Sequence, residues 1–400
     1  MNHHDWTGVE PNDPPLRALW RDSLSLAPRL SEWRRYFHMY PSVSGSEEPT
    51  ARKILEILTD MGIEAEIVPG QYAVVGRVIG TGGGRIAGLR ADIDALPIQE
   101  IPGREYGSAV PGVMHACGHD AHTAILLGAA ELLSRRRGSF SGEARLLFEP
   151  AEETKGGAQP MIDAGKLDGV GAALALHMQP GLKVGQLQTR PGPMSGSSSE
   201  VILEILGRSA HGAYPERGID AITLAAQVIM SAQTLVSRRV SALDSVVLSF
   251  GEINGGTAPN ILAQSVILHG TIRSLNSDTH SRMQSELETL AKGICSANGG
   301  NCSVTINEGY HSVICAPEWV SRLNSLAETI GVEPLVKPAP SLGVDSFGDF
   351  TAVAPGLYYD LGCAADDGAP PIHTPGFDID ERCLPIGVYL QAGLALEHIV

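Results

Sequence analysis

The chain has 400 residues, 43% of them apolar, and a formal net charge of −16. That length exceeds one ordinary compact core, so two domains are expected. So acidic a chain lacks the basic face that phosphate backbones require, which argues against nucleic acid as a partner. No run approaches the roughly 18 apolar residues of a membrane span, which argues against a membrane.

Residues 1–15 are polar, with two histidines and three prolines and no basic start followed by an apolar run, so a loose extension without a secretory signal is expected. Residues 16–40 and 48–61 carry helical spacing. Residues 73–79 and 85–89 are short apolar runs bounded by glycine. Residues 121–135 are apolar at helical period, and 142–148 and 170–176 read as strands. This alternation predicts an α/β layer architecture with a largely parallel sheet.

A Pro-, Gly- and Ser-rich stretch at 190–199 interrupts the pattern. Beyond it come a strand at 200–206, a helix at 219–237, strands at 245–253 and 265–275, a helix at 278–297 and a strand at 302–307. The order β-α-β-β-α-β is the split, ferredoxin-like arrangement of a small two-layer domain. After about residue 308 the α/β pattern resumes. The expected organisation is an extension at 1–15, a larger domain at 16–192 and 309–400, and a small domain inserted at 193–308. The six cysteines (Cys117, Cys295, Cys302, Cys315, Cys363, Cys383) form no regular framework and read as reduced thiols of a cytoplasmic protein.

Four segments carry chemistry. Cys117 and His119 flank Gly118 just before an apolar helix, and a thiolate and an imidazole two residues apart can reach one metal or a metal pair. Glu149, Glu152 and Glu153 follow a strand, where one carboxylate can bind a metal while its neighbour handles a proton. His177 follows the apolar run 172–176, at the strand end where α/β sheets bind ligands. His373 lies in a Pro/Gly loop. Singly, each has an ordinary structural reading. Together they suit two divalent ions sharing a bridging water.

At this point the sequence resembles the metallopeptidase family that contains aminoacylases, hippurate hydrolases and plant auxin-conjugate amidohydrolases. The matching segments are Leu89-Arg90-Ala91-Asp92-Ile93-Asp94-Ala95-Leu96-Pro97, residues 114–122, and Glu152-Glu153. They continue with Gly207-Arg208-Ser209-Ala210-His211-Gly212, Gly255-Gly256-Thr257-Ala258-Pro259-Asn260, Gly270-Thr271-Ile272-Arg273 and His373-Thr374-Pro375. They span about residues 30–395, in order.

The resemblance implies a two-domain α/β enzyme with a dinuclear-metal catalytic domain and an inserted lid or dimerisation domain. Cys117, His119, Glu153, His177 and His373 match the ligands of two divalent metal ions per chain, manganese or alternatively zinc, with Cys117 between them. Glu152 matches the general base that serves the metal-bound hydroxide and later acts as the acid. His211 matches a residue that reaches the substrate carbonyl, often from the partner subunit of a homodimer. Asp94 matches an orienting group behind the metals, and Asn260 and Arg273 match positions that hold a substrate carboxylate. His115 and His122 match no ligand and read as local structural residues. One segment departs from the family. Its Gly-small-Glu-Asp-Phe pattern is here Gly343-Val344-Asp345-Ser346-Phe347, which bears on substrate class more than on metal binding.

The leading function is hydrolysis of the C–N amide bond of a small N-acyl amino acid or amino-acid conjugate. A dipeptidase or carboxypeptidase, and a hydrolytic deaminase of an unusual aromatic amine, are alternatives of similar chemistry. A non-catalytic binding protein on the same fold would not need Glu152, His211 and all five ligands together.

Overall fold

The structure, a computed structural model, describes residues 9–400. The first eight residues of the expected 1–15 extension lie outside the described residues. The rest is fastened down rather than loose: Trp20 Nε1 donates to Val9 O at 2.7 Å and Arg17 Nε to Pro11 O at 2.9 Å. The helical run of 16–40 forms two helices, α1 (Pro14–Ser25) and α2 (Ala27–Met39). Pro28 explains the break, because proline is tolerated in a first turn but not inside a helix.

Then follow α3 (Glu48–Asp60), β1 (Glu64–Ile67), β2 (Val74–Ile79), β3 (Ile86–Asp92), α4 (His119–Arg135), β4 (Glu143–Glu149), α5 (Ala158–Asp163), β5 (Val170–Lys183), β6 (Gln186–Thr189) and β7 (Gly192–Pro193). The middle of the chain forms β8 (Ser197–Leu206), α6 (Ala221–Arg239), β9 (Val246–Gly255), β10 (Ser265–Ser274), α7 (Ser277–Ala297) and β11 (Asn301–Glu308). The last part holds β12 (Ile314–Cys315), α8 (Pro317–Glu328), β13 (Glu333–Val336), α9 (Phe347–Val353), β14 (Gly356–Ala364) and α10 (Cys383–Ile399). Among the described residues no helix is long and apolar enough to cross a membrane.

The chain divides into two compact units. One comprises the chain up to Met194 with Ile314–Ala339 and Asp349–Val400, the other Ser195–Val313 with Pro340–Gly348. Pro340–Gly348, which the sequence pattern leaves in the resumed α/β run, thus groups with the second unit.

The first unit is an α/β fold on a mixed sheet. Its strand order is β1-β2-β4-β3-β5-β14-β12-β7, with β6 also on β14 and β13 on β6. The centre, β4-β3-β5-β14, is parallel, while β2 joins β4 and β1 joins β2 antiparallel. The expectation of a largely parallel sheet holds for the centre and for the β12–β14 and β13–β6 pairs, while β14–β6, β12–β7 and the β1–β2–β4 side are antiparallel, the short β1–β2 connection permitting only a hairpin. β4 and β14 are buried at every residue, as parallel strands covered on both faces must be. Helices α4 and α10 cross closely over this centre at Gly128, where a Cβ would lie 2.6 Å from Val388 Cγ2 and from Leu30 Cδ2.

The second unit has the order β-α-β-β-α-β and an antiparallel sheet β11-β8-β10-β9. Along β8 the residues alternate, with Val201, Leu203 and Ile205 buried against Leu224 and Val228 of α6 and Met283 and Leu287 of α7. β9 is an edge strand, and Ile253 on it is 57% exposed.

An ion network fixes α2 to the start of α4. Arg34, fully buried, donates through Nε to Asp120 Oδ2 at 2.9 Å and through Nη2 to Asp378 Oδ1 at 2.7 Å. His38 lies between the same Asp120 oxygen (2.8 Å) and Glu100 Oε1 (3.2 Å). Burial alone would raise the pKa of Asp120, but Arg34 and His38 hold it well below the usual carboxylate range. Replacing Arg34 with methionine removes the buried guanidinium that joins Asp120 to Asp378 and leaves Asp120 with His38 as its remaining cation. The expected cost is about 3–5 kcal/mol, read as a lower denaturation midpoint of the metal-free protein, and a loss below about 1 kcal/mol, typical of an exposed pair, contradicts it.

Candidate metal centre

The site lies where the first unit's central strands give way to loops. After β3, the carbonyl of Asp94 accepts a hydrogen bond from His119 Nδ1 at 2.8 Å. Asp94 Oδ2 accepts from Ser44 Oγ at 2.6 Å and from the Glu153 backbone N–H at 3.1 Å. At the start of α4, Gly118 has φ 94°, and a Cβ there would stand 2.8 Å from Met178 Cβ. Only glycine allows this turn, which lets Cys117 and His119 serve one centre.

After β4, Ala151 has φ 59°, a left-handed conformation uncommon for a residue with a Cβ. It leads directly into Glu152 and Glu153. His177 lies inside β5 opposite Asp360 of β14, because the strand runs on past the apolar run where the sequence pattern ends it. His373 is the other described non-glycine residue with positive φ, at 60°, and its backbone N–H donates to Ala116 O at 2.7 Å. Such strain persists only where the surroundings over-determine it, and it clusters at functional sites.

These turns bring the donors together. Cys117 Sγ is 3.4 Å from His177 Nε2 and 3.2 Å from His373 Nε2. Glu153 Oε1 is 3.2 Å from His373 Nε2 and 3.9 Å from His119 Nε2. Two ligand sets share the cysteine: Cys117, His119 and His177, and Cys117, Glu153 and His373, each with its donor atoms within 4.8 Å of one another. Glu152 joins His119 and Glu153 within the same limit.

The donor set fits a pair of divalent ions. A carbonyl oxygen only accepts, so the bonds to Asp94 O and, at 2.9 Å, to Met178 O place the protons of His119 and His177 on Nδ1. Both rings then turn an Nε2 lone pair into the site, as a metal-ligating imidazole does. His119 Nε2 is buried and has no hydrogen-bond partner among the described residues. Such atoms are costly unless something pairs them.

The electrostatics favour positive charge. Burial would lower the pKa of His119, but Asp92, Asp94 and Cys117 push it well above the ordinary imidazole value. Hydrogen bonding to Glu153 raises His373. Glu153 is lowered by His373 and His119 against the effect of burial. Burial pushes the Cys117 thiol up, so a nearby cation is what would make it a thiolate ligand.

His122 sits beside this set but faces away from ligation. Its Nε2 accepts from the Met178 backbone N–H at 2.9 Å, which leaves Nδ1 to donate to Asp92 Oδ1 at 2.6 Å. Burial brings its pKa down to about 4. His115 is buried as well.

His211, Asn260 and Arg273 belong to the second unit. His211 Nδ1 accepts from the Ala213 N–H at 3.0 Å, so its proton is on Nε2. The backbone brings His211 and Asn260 together: Gly212 N–H donates to Asn260 O at 2.8 Å. Arg273, on β10, donates to Leu342 O at 3.1 Å, just before the departing segment. In that segment Asp345 and Ser346 are buried, and Asp345 Oδ1 accepts from the Phe347 N–H at 2.8 Å. Sequence reasoning missed Asp92 and Glu47. Asp92 was legible as a second acid beside Asp94 at a strand end. Glu47 gave no signal, since it stands among other polar residues before α3.

The profile of peptidase family M20/M25/M40 matches residues 88–397. The chain belongs to this family. It is 41% identical over 283 residues to an N-acyl-L-amino acid amidohydrolase of Geobacillus stearothermophilus, covering 70% of this chain and 76% of that protein. It is 37% identical to an N-acetyl-L-cysteine deacetylase of Bacillus subtilis over 363 residues, covering 90% and 86%. Among solved structures it resembles a dinuclear metal-binding peptidase of the M20 family from Bacillus subtilis, with TM-score 0.81, 30% identity and coverage of 94% and 100%. That this M20 relative is described as binding two metals agrees with the two ligand sets that share Cys117.

Proposed function

We propose that this protein is a metal-dependent amidohydrolase that cleaves the C–N amide bond of a small N-acyl amino acid or amino-acid conjugate. The observation that carries the reading is the pair of ligand sets meeting at Cys117 with Glu152 beside them. Family membership and amidohydrolase relatives support the bond type.

Cys117, His119, Glu153, His177 and His373 are the proposed ligands. Bound there, divalent ions supply the Lewis acidity that activates water and polarises the amide carbonyl. Glu152 takes the proton of the attacking water and returns it to the leaving nitrogen, so one carboxylate serves as base and then as acid. Asp94 holds His119 in the tautomer that ligation needs and steadies the Glu153 backbone. His211, with its proton on Nε2, is a donor suited to the oxyanion that develops on the carbonyl. Asn260 and Arg273 are proposed to take the substrate carboxylate, and a guanidinium has five N–H donors, of which the bond to Leu342 uses one.

Manganese is the proposed metal, with zinc the alternative: imidazole and carboxylate suit either ion, and the thiolate adds affinity for zinc. The six free, buried cysteines support a reducing, cytoplasmic setting. The exposed edge strand β9 supports a homodimer through the second unit, since pairing would cover its open backbone groups.

Hydrolysis of N-benzoylglycine and N-acetyl amino acids by manganese-loaded protein tests the activity. Glu152→Ala is expected to keep its metal and lose about 10²- to 10⁴-fold in kcat, the usual contribution of a general base. A variant as fast as the parent contradicts the role. Light scattering at micromolar concentration is expected to give twice the chain mass of 42.2 kDa, and the single-chain mass rules out a stable dimer.

A further inference from the structure

Glu47 directly precedes α3 and is fully buried. Its Oε1 accepts a hydrogen bond at 2.8 Å from the backbone N–H of Ala151, more than a hundred residues away in sequence. Its Oε2 is buried with no hydrogen-bond partner among the described residues. Burial, and then the Asp94 carboxylate, raise its pKa against the backbone N–H groups of Glu47, Gly45 and Ala151, which lower it.

Ala151 is where the chain turns from β4 into the acidic pair. Its φ of 59° is disfavoured for a residue with a Cβ. Its carbonyl accepts from Thr154 N–H at 3.2 Å and Gly156 N–H at 2.7 Å, closing a short loop around Glu152 and Glu153. Beyond that loop, Gly157 N–H is tied at 3.0 Å to Glu149 Oε1, at the end of β4. Both ends of the turn are thus held by buried carboxyls, and the end that sets Ala151 is held by Glu47.

We propose that Glu47 is a positioning residue for proton transfer: by accepting the Ala151 N–H it holds the left-handed turn that aims Glu152 and Glu153 into the centre. The proposal rests on the reading of Glu152 as general base. Losing the acceptor lets Ala151 relax to ordinary backbone angles. That rotation swings Glu152 and Glu153 together, and a misplacement of about 1 Å can cost about a hundredfold in rate. What the turn requires is an acceptor oxygen at the right reach. A neutral carboxyl and an amide both supply one, so glutamine replaces Glu47 well.

The test compares Glu47→Ala and Glu47→Gln in the full-length protein loaded with cobalt(II) and with manganese. Glu47→Ala is expected to lose at least about tenfold in kcat, with KM within about threefold, and to change the visible absorption spectrum of bound cobalt because Glu153 has moved. Glu47→Gln is expected to keep the parent spectrum and a kcat within about threefold of the parent. If Glu47→Ala does not fold, Glu47→Asp withdraws the acceptor by one methylene and is expected to behave as described for alanine. Parent-like spectrum and kcat in the alanine or aspartate variant overturn the proposal. So does a glutamine variant as impaired as alanine, since charge would then be what matters. If the parent, loaded with two metals, cleaves no amide, the proposed function fails. The cobalt spectra still decide whether Glu47 sets the turn.

Discussion

The first unit depends on one constraint: a buried thiol, three imidazoles and two carboxylates crowd together around Cys117. Neighbours at 3.2 and 3.4 Å leave the sulfur no room for ordinary apolar packing. One of the surrounding atoms, His119 Nε2, is buried without a hydrogen-bond partner among the described residues. A protein core does not tolerate such atoms unless something pairs them, and cations do so for every donor at once. The raised pKa of His119 and of His373 expresses the same preference for positive charge at this centre.

Holding that cluster takes backbone strain, which among the described residues with a side chain falls on two. Ala151 and His373 have φ near +60°, and each brings a donor to the centre. Both are held by hydrogen bonds to distant segments, Ala151 by Glu47 and His373 by the Ala116 carbonyl. Behind them the sheet centre and the tight α4–α10 crossing supply rigidity. The Arg34 network pins the first turn of α4, which carries His119, to the chain that follows the His373 loop. The crowded donors, drawn from separate segments of the first unit, therefore answer to one frame.

Much of this was legible in the sequence. The Cys-Gly-His spacing, the acidic pair after a strand and two isolated histidines pointed to the segments that crowd together, and the family resemblance singled out the donors among them. Local patterning also located β2 to β5, α3, α4 and the elements of the second unit, while β14, α8 and α10 lie in the stretch after residue 308 where the pattern gives no single element. The misses have physical causes. Pro28 divides a helical run whose apolar period continues across it. β5 outlasts its apolar stretch because pairing with β14 carries it on. The antiparallel edge depends on a hairpin whose strands look like any others. Glu47 and the Arg34 network stayed hidden because their roles exist only through partners far away in sequence. Glu47 and Ala151 form one unit that no local pattern announces.

The most direct test of the account is anomalous diffraction from crystals of the protein loaded with manganese. The account expects two peaks, both within bonding reach of Cys117 Sγ, one beside His119 and His177 and the other beside Glu153 and His373. One peak, or peaks away from Cys117, would show that the crowded donors serve another purpose and would contradict it.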